Sequence, residues 1–211
     1  LTKGQASPTS ESGKITKSTP YGTIEAPFIP AELAMGAKST FVARTLDRDT
    51  KHMQAMIKRA YAHKGTSFLE VYQNCPVFND AAFFTYTDKE TKKEESLFVE
   101  HGKPMVFGHQ EEKGIKLDGL TPKIVNITDG SASINDLWIH DERDKTKANI
   151  LVRMFDDQKV ADHFPRPFGV FYVEDRVTYE DEMVRQINAI NNKKGKMSLD
   201  KIISGDLTWT V

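Results

Sequence analysis

Thr40-Phe41-Val42-Ala43-Arg44, the segment Asp49 to His63, and Ser67-Phe68-Leu69-Glu70-Val71-Tyr72 are three consecutive pieces whose reading decides the fold. The first and last are short runs of aromatic, β-branched and apolar residues, the pattern of buried strands. Between them, Met53, Met56, Ile57, Ala60 and Tyr61 recur at the spacing of one buried helical face, and Gly65 supplies a stop. Strand, helix, strand with short connections predicts a βαβ unit of a parallel sheet. In such sheets ligands gather beyond the carboxyl ends of the strands. Cys75 stands just past one such end.

Upstream, residues 1 to 30 are rich in Ser, Thr, Gly, Pro and Lys, and Pro8, Pro20, Pro27 and Pro30 forbid a continuous helix. By composition this is a disordered leader or a loop held by something it binds. Ala31 to Gly36 reads as a short helix. Downstream, from Phe83 to Ile139, the runs Leu97-Phe98-Val99, Met105-Val106-Phe107 and Lys123-Ile124-Val125-Asn126-Ile127 read as strands of hairpins. The mixed-charge run from Asp88 to Glu95 reads as a solvated hairpin tip, with a docking face for a redox partner as the lesser alternative. Lys145 to Phe155 is predicted helical and Phe168 to Tyr172 extended. Thr178 with Asp181 opens a helix carrying Met183, Val184, Ile187 and Ile190, and Ser198 to Ser204 is a last short helix. The expected division is an α/β domain over residues 1–82 and a hairpin-rich, helical extension over 83–211.

The 211 residues carry 29 Lys and Arg against 30 Asp and Glu, so a net charge of −1 offers no field to hold a nucleic-acid backbone. No run of the sequence is apolar for long enough to span a bilayer, which makes the cytoplasm the expected compartment. One cysteine builds no internal disulfide. Cys75 is therefore a buried thiol, a reactive thiol, or one ligand of a site completed elsewhere. His52, His63, His101, His109, His140 and His163 show no metal-ligand spacing and are expected to be structural or solvated. Asp47-Arg48-Asp49 and Asp141-Glu142 read as turn and cap residues, and no catalytic acid–base pair, nucleophile elbow or P-loop is found. Thr2-Lys3-Gly4-Gln5-Ala6-Ser7 combines a flexible glycine with hydroxyl, amide and ammonium donors, a set able to surround a diphosphate or a carboxylate.

Two stretches together resemble one family. Leu1-Thr2-Lys3-Gly4-Gln5-Ala6-Ser7-Pro8-Thr9 and Tyr72-Gln73-Asn74-Cys75-Pro76-Val77-Phe78-Asn79-Asp80 are similar, in order, to segments of the β subunit of 2-oxoacid:ferredoxin oxidoreductases. Pro165 to Tyr172 and Asp206 to Val211 resemble the long form of that subunit, 2-oxoglutarate-specific members included. The resemblance implies an α/β fold, the C-terminal part of a thiamine diphosphate-binding, pyrophosphate-type parallel-sheet domain followed by the hairpin-rich and helical extension. It also implies oxidative decarboxylation of 2-oxoglutarate or another 2-oxoacid to an acyl-CoA and CO2. Thiamine diphosphate, Mg2+ and a [4Fe–4S] cluster would be the cofactors, and an α subunit, ferredoxin, CoA and the 2-oxoacid the partners.

Carried over residue by residue, the match places Leu1, Thr2 and Lys3 beside the substrate, with Leu1, Thr2, Gln5 and Ser7 at the cofactor and Thr9 close behind. Cys75 takes the position of the fourth cluster thiolate. The family's Mg2+ ligands and its other three cluster cysteines come from segments that this sequence does not contain, and the match implies that they precede Leu1. The chain alone is accordingly expected to be colourless, inactive and poorly soluble. The rival reading is a non-catalytic scaffold or binding domain with a polar tail and Cys75 as a core thiol.

Overall fold

The computed structural model describes residues 3–154, 163–195, 197–205 and 209. Its centre is β1 (Phe41–Leu46), buried at every position because it has a hydrogen-bonded neighbour on each side. β2 (Ser67–Tyr72) runs parallel to it, in register from Phe41 opposite Ser67 to Leu46 opposite Tyr72. Between them α2 (Thr50–Ala62) begins where the Asp49 carboxylate accepts from the His52 N–H. The βαβ unit read from the sequence is therefore present. The helical face is narrower than the spacing suggests. Met56 is buried and Met53 and Ala60 partly so, while Ile57 and Tyr61 face outward, because α2 covers only the two strands it connects.

On the other side of β1 lies β7 (Arg166–Val173), antiparallel to it, and β3 (Ser96–Val99) runs parallel to β7, giving the order β2-β1-β7-β3. This corrects the hairpin reading of Leu97-Phe98-Val99. Those residues pair with a strand some seventy positions later, so no local signal reveals the partner. The run Asp88 to Glu95 is not a hairpin tip either. It leads from a 3-10 turn at Phe84–Tyr86 into a one-turn helix, α3 (Lys92–Glu95), where Glu94 binds Lys113 Nζ at 2.5 Å and Glu95 meets His163 Nε2 at 2.7 Å. Hairpin geometry does appear in the second sheet, β4 (Val106–Phe107), β5 (Lys113–Asp118) and β6 (Thr121–Asn126). The β5–β6 loop is only Gly119-Leu120, and Gly119 supplies the positive φ of +61° that so tight a connection needs.

The first sheet and the helices α1 (Pro30–Gly36) and α4 (Lys145–Arg153) enclose the main core, in which Leu97, Phe171, Leu151 and Val152 are fully buried. Each such side chain contributes about 1.5–3 kcal/mol of burial free energy. The predicted helix from Lys145 ends at Arg153, and Phe155 lies outside the described residues. Glu142, read as a cap, instead forms a two-pronged ion pair with Arg59 at 2.7 and 2.8 Å and is itself buried.

The chain divides into two units, Leu1–Asp175 and Arg176–Val211. The second consists of α5 (Tyr179–Lys194), capped by Thr178 as its sequence foretells, and α6 (Leu199–Ser204). Among the described residues no helix is long and apolar enough to cross a membrane.

Candidate functional site

The described part of the opening segment before α1, residues 3 to 29, is a loop without helix. Its prolines remove donors, and its hydroxyls replace the missing ladder. Ser7 N–H donates to Ser10 Oγ at 2.9 Å, Ser10 N–H returns to the Ser7 carbonyl at 2.9 Å, and Ala6 N–H donates to Ser18 Oγ at 2.9 Å. Gly13 N–H donates to the Thr23 carbonyl and Thr23 N–H to the Lys14 carbonyl, across a turn in which Thr16 and Thr19 exchange backbone bonds. Phe28 N–H then binds the Pro8 carbonyl, folding the loop back on the opening string.

The Cys75 segment is a tight turn just past β2. Pro76 follows the cysteine, and Asn79 N–H donates to the Cys75 carbonyl at 2.9 Å. The turn hangs from the end of β1, because Asp47 N–H binds the Tyr72 carbonyl and the Asp47 carboxylate accepts from Asn74 N–H at 3.1 Å. Asn74 Nδ2 in turn donates to Asp80 at 2.8 Å. The backbone N–H of Phe78, aided by those of Val77 and Asn79, is directed at the sulfur and holds the thiol below its usual pKa. The shift is toward the thiolate, the form that binds metal. Cys75 is half-buried, not a core thiol.

The structure brings these two stretches together. Gly4, at φ +71°, packs against the Phe78 ring so closely that a Cβ would lie 3.0 Å from Cδ1. Lys14 Nζ reaches Asn79 Oδ1 at 2.5 Å. Lys3 and Gln5 are exposed and Ser7 half-buried, its hydroxyl 2.9 Å from that of Thr9. Leu1 and Thr2 lie outside the described residues. Lys14 carries no mark in the sequence, because a lone lysine in a polar loop has no pattern to set it apart, whereas its partner Asn79 belongs to the Cys75 motif.

Against the carboxyl-terminal halves of β1 and β2 there is also a cavity of about 360 Å³, lined by Thr9, Phe28, Arg44, Glu70, Tyr72 and Arg166 among others. Arg44 is fully buried yet compensated. Its Nε binds Glu70 at 2.6 Å, and its guanidinium lies 5.3 Å from the Tyr72 ring centre and 5.1 Å from that of Phe171. Arg166 donates to the Tyr72 hydroxyl at 2.6 Å. Sequence reasoning read Arg44 only as part of a strand.

The histidines act locally. His140 is buried with Nε2 2.7 Å from the Val170 carbonyl, His52 meets Thr45 and His63 meets Thr40. Among the described residues no three His, Cys, Asp or Glu side chains gather as a metal site. The donor-lined turn fits Cys75 as one thiolate ligand of a site whose other ligands lie elsewhere.

No family model matches the chain. The β subunit KorB of 2-oxoglutarate oxidoreductase from Mycobacterium tuberculosis is 38% identical over the whole chain, which spans 56% of that protein's length. The chain is a homologue of 2-oxoacid:ferredoxin oxidoreductase β subunits. The 2-oxoacid:ferredoxin oxidoreductase β subunit of Saccharolobus solfataricus is 45% identical over 93 residues, covering 44% of this chain and 30% of that one. A solved 2-oxoglutarate:ferredoxin oxidoreductase from Magnetococcus marinus, with 2-oxoglutarate, coenzyme A and succinyl-CoA bound, superposes with a TM-score of 0.62 at 21% identity over 96% of this chain and 53% of that one. At that identity the likeness establishes the fold, an α/β architecture with parallel strand pairs shared with these oxidoreductases. The chain thus spans about half the length of the Mycobacterium tuberculosis subunit and of the solved chain.

Proposed function

We propose that this chain works within a 2-oxoacid:ferredoxin oxidoreductase, where 2-oxoglutarate or a related 2-oxoacid is oxidatively decarboxylated to its acyl-CoA and CO2. The observation that carries the reading is the junction of the opening string with the Cys75 turn, through Gly4 on Phe78 and Lys14 on Asn79. The two stretches are separate in sequence, and both match the same family. Thiamine diphosphate, when bound, supplies a nucleophilic carbon and an electron sink for loss of CO2.

Within that assembly the exposed ammonium of Lys3 would neutralise the substrate carboxylate, with Leu1 and Thr2 beside it. Gln5 and Ser7 would offer hydrogen bonds to the cofactor. Cys75 would hold one iron corner of a [4Fe–4S] cluster, and the backbone N–H groups that favour its thiolate would also neutralise charge on the sulfur. The other ligands, the Mg2+ site and the α subunit would complete the centre, and ferredoxin would take the electrons in the cytoplasm.

Cys75→Ser in the complete complex tests this. The expected result is loss or conversion of one iron–sulfur signal in electron paramagnetic resonance, with reduction of ferredoxin falling at least about a hundredfold. An unaltered cluster spectrum would remove Cys75 from the ligand set.

A further inference from the structure

Helix α5 presents a seam that nothing among the described residues of its own unit covers. Glu180, Met183, Val184, Ile187, Ile190, Asn191 and Lys194 recur at three- and four-residue intervals and so share one face. Met183, Val184, Ile187 and Ile190 remain 43–53% exposed, although their spacing is that of a packed stripe. The seam is acidic at its first residue, apolar along its middle and basic at its last. Neither Glu180 nor Lys194 takes part in an ion pair among the described residues, and both are exposed.

We propose that this seam pairs with the same seam of a second copy of the chain, antiparallel about a twofold axis near Ile187. A parallel pairing would set Glu180 against Glu180 and Lys194 against Lys194. The antiparallel one sets each Glu180 beside the other copy's Lys194, Val184 beside Ile190, and Ile187 beside its own equivalent. A self-complementary patch of this kind is what a twofold interface requires. The seam is about 21 Å long at 1.5 Å per residue, long enough for the two end charges to pair while the apolar middle is shielded from water.

An acidic first turn and a basic last turn also suit an isolated helix, through its dipole. The dipole, however, has no preference for where around the axis a charge lies. Of the first-turn acids Glu180, Asp181 and Glu182 and the last-turn bases Lys193 and Lys194, Glu180 and Lys194 are the two that fall on the apolar stripe, where self-pairing sets them opposite each other.

The test is made in the complete complex. Ile187→Cys is expected to give a disulfide-linked pair of this chain on mild oxidation, and Ala189→Cys, on the opposite face, is not. Added to Ile187→Cys, either Glu180→Lys or Lys194→Glu should cut the cross-linked yield roughly tenfold, by replacing attraction with repulsion at both ends of the seam. The two reversals together should restore it, even though they oppose the helix dipole. The proposal is overturned if Ile187→Cys stays unlinked or links to a different polypeptide. Equal linking by Ala189→Cys, or a double reversal that fails to restore the yield, overturns it as well.

Discussion

Gly4 carries a conformation and a contact that no other residue could supply together. Its φ of +71° costs an L-residue about 1 kcal/mol, and an added methyl would press on the Phe78 ring beside Cys75. Gly4→Ala is therefore expected to loosen the opening loop from the Cys75 turn, read as faster proteolysis within residues 3–30 while the rest of the chain keeps its resistance. His140 makes a second residue-scale test. Burial holds its pKa below the ordinary 6.5, outweighing the Val170 carbonyl and the carboxylates of Glu142 and Asp141 that raise it, with His101 adding to the depression. The folded state thus prefers neutral imidazole, and the unfolded chain takes up the proton first. This contribution to stability is complete above pH 6.5 and declines as the pH falls below it, by up to about 1.4 kcal/mol per pH unit. Urea midpoints are expected to drop between pH 7.5 and 5.5, and His140→Gln, whose amide can still donate to Val170, should flatten that drop.

At the scale of elements, what could be read from sequence was what is local. β1, α2 and β2 announce themselves because strand residues, helical spacing and Gly65 lie within one continuous stretch, and α5 because Thr178 caps it three residues before Asp181. The place of β3 was hidden, since Leu97, Phe98 and Val99 suit any sheet and their partner is distant. The candidate site divides in the same way. The Cys75 turn and the opening string were legible as motifs, but their meeting through Phe78 and Lys14 is tertiary. The β3–β7 junction depends on Gly169, at φ +127°, where a Cβ would stand 2.5 Å from the Val99 carbonyl oxygen. Gly169→Ala should force the two strands apart at a cost of about 2–4 kcal/mol. That corresponds to a fall in melting temperature of roughly 5–15 °C, measurable by calorimetry. Gly130→Ala, with open space around its Cβ, is expected to cost about 1 kcal/mol through its positive φ alone.

For the whole molecule, the question is whether the loop that meets the Cys75 turn also meets the substrate. Lys3 stands one residue before the Gly4 contact, so its backbone is held by that packing while its side chain stays exposed. An anchored backbone with a free ammonium is suited to receive a carboxylate delivered across a subunit boundary, because little conformational entropy remains to be lost on binding. In the complete complex, Lys3→Ala is expected to raise the KM for the 2-oxoacid about tenfold or more, the loss that follows removal of a charge-assisted hydrogen bond worth about 1.5–3 kcal/mol. Lys3→Arg should recover part of it by keeping the charge. The cluster spectrum should be the same in both variants, which separates this role from that of Cys75. Unchanged kinetic constants in Lys3→Ala would take Lys3 out of the substrate site and leave the opening string as a structural cover for the Cys75 turn.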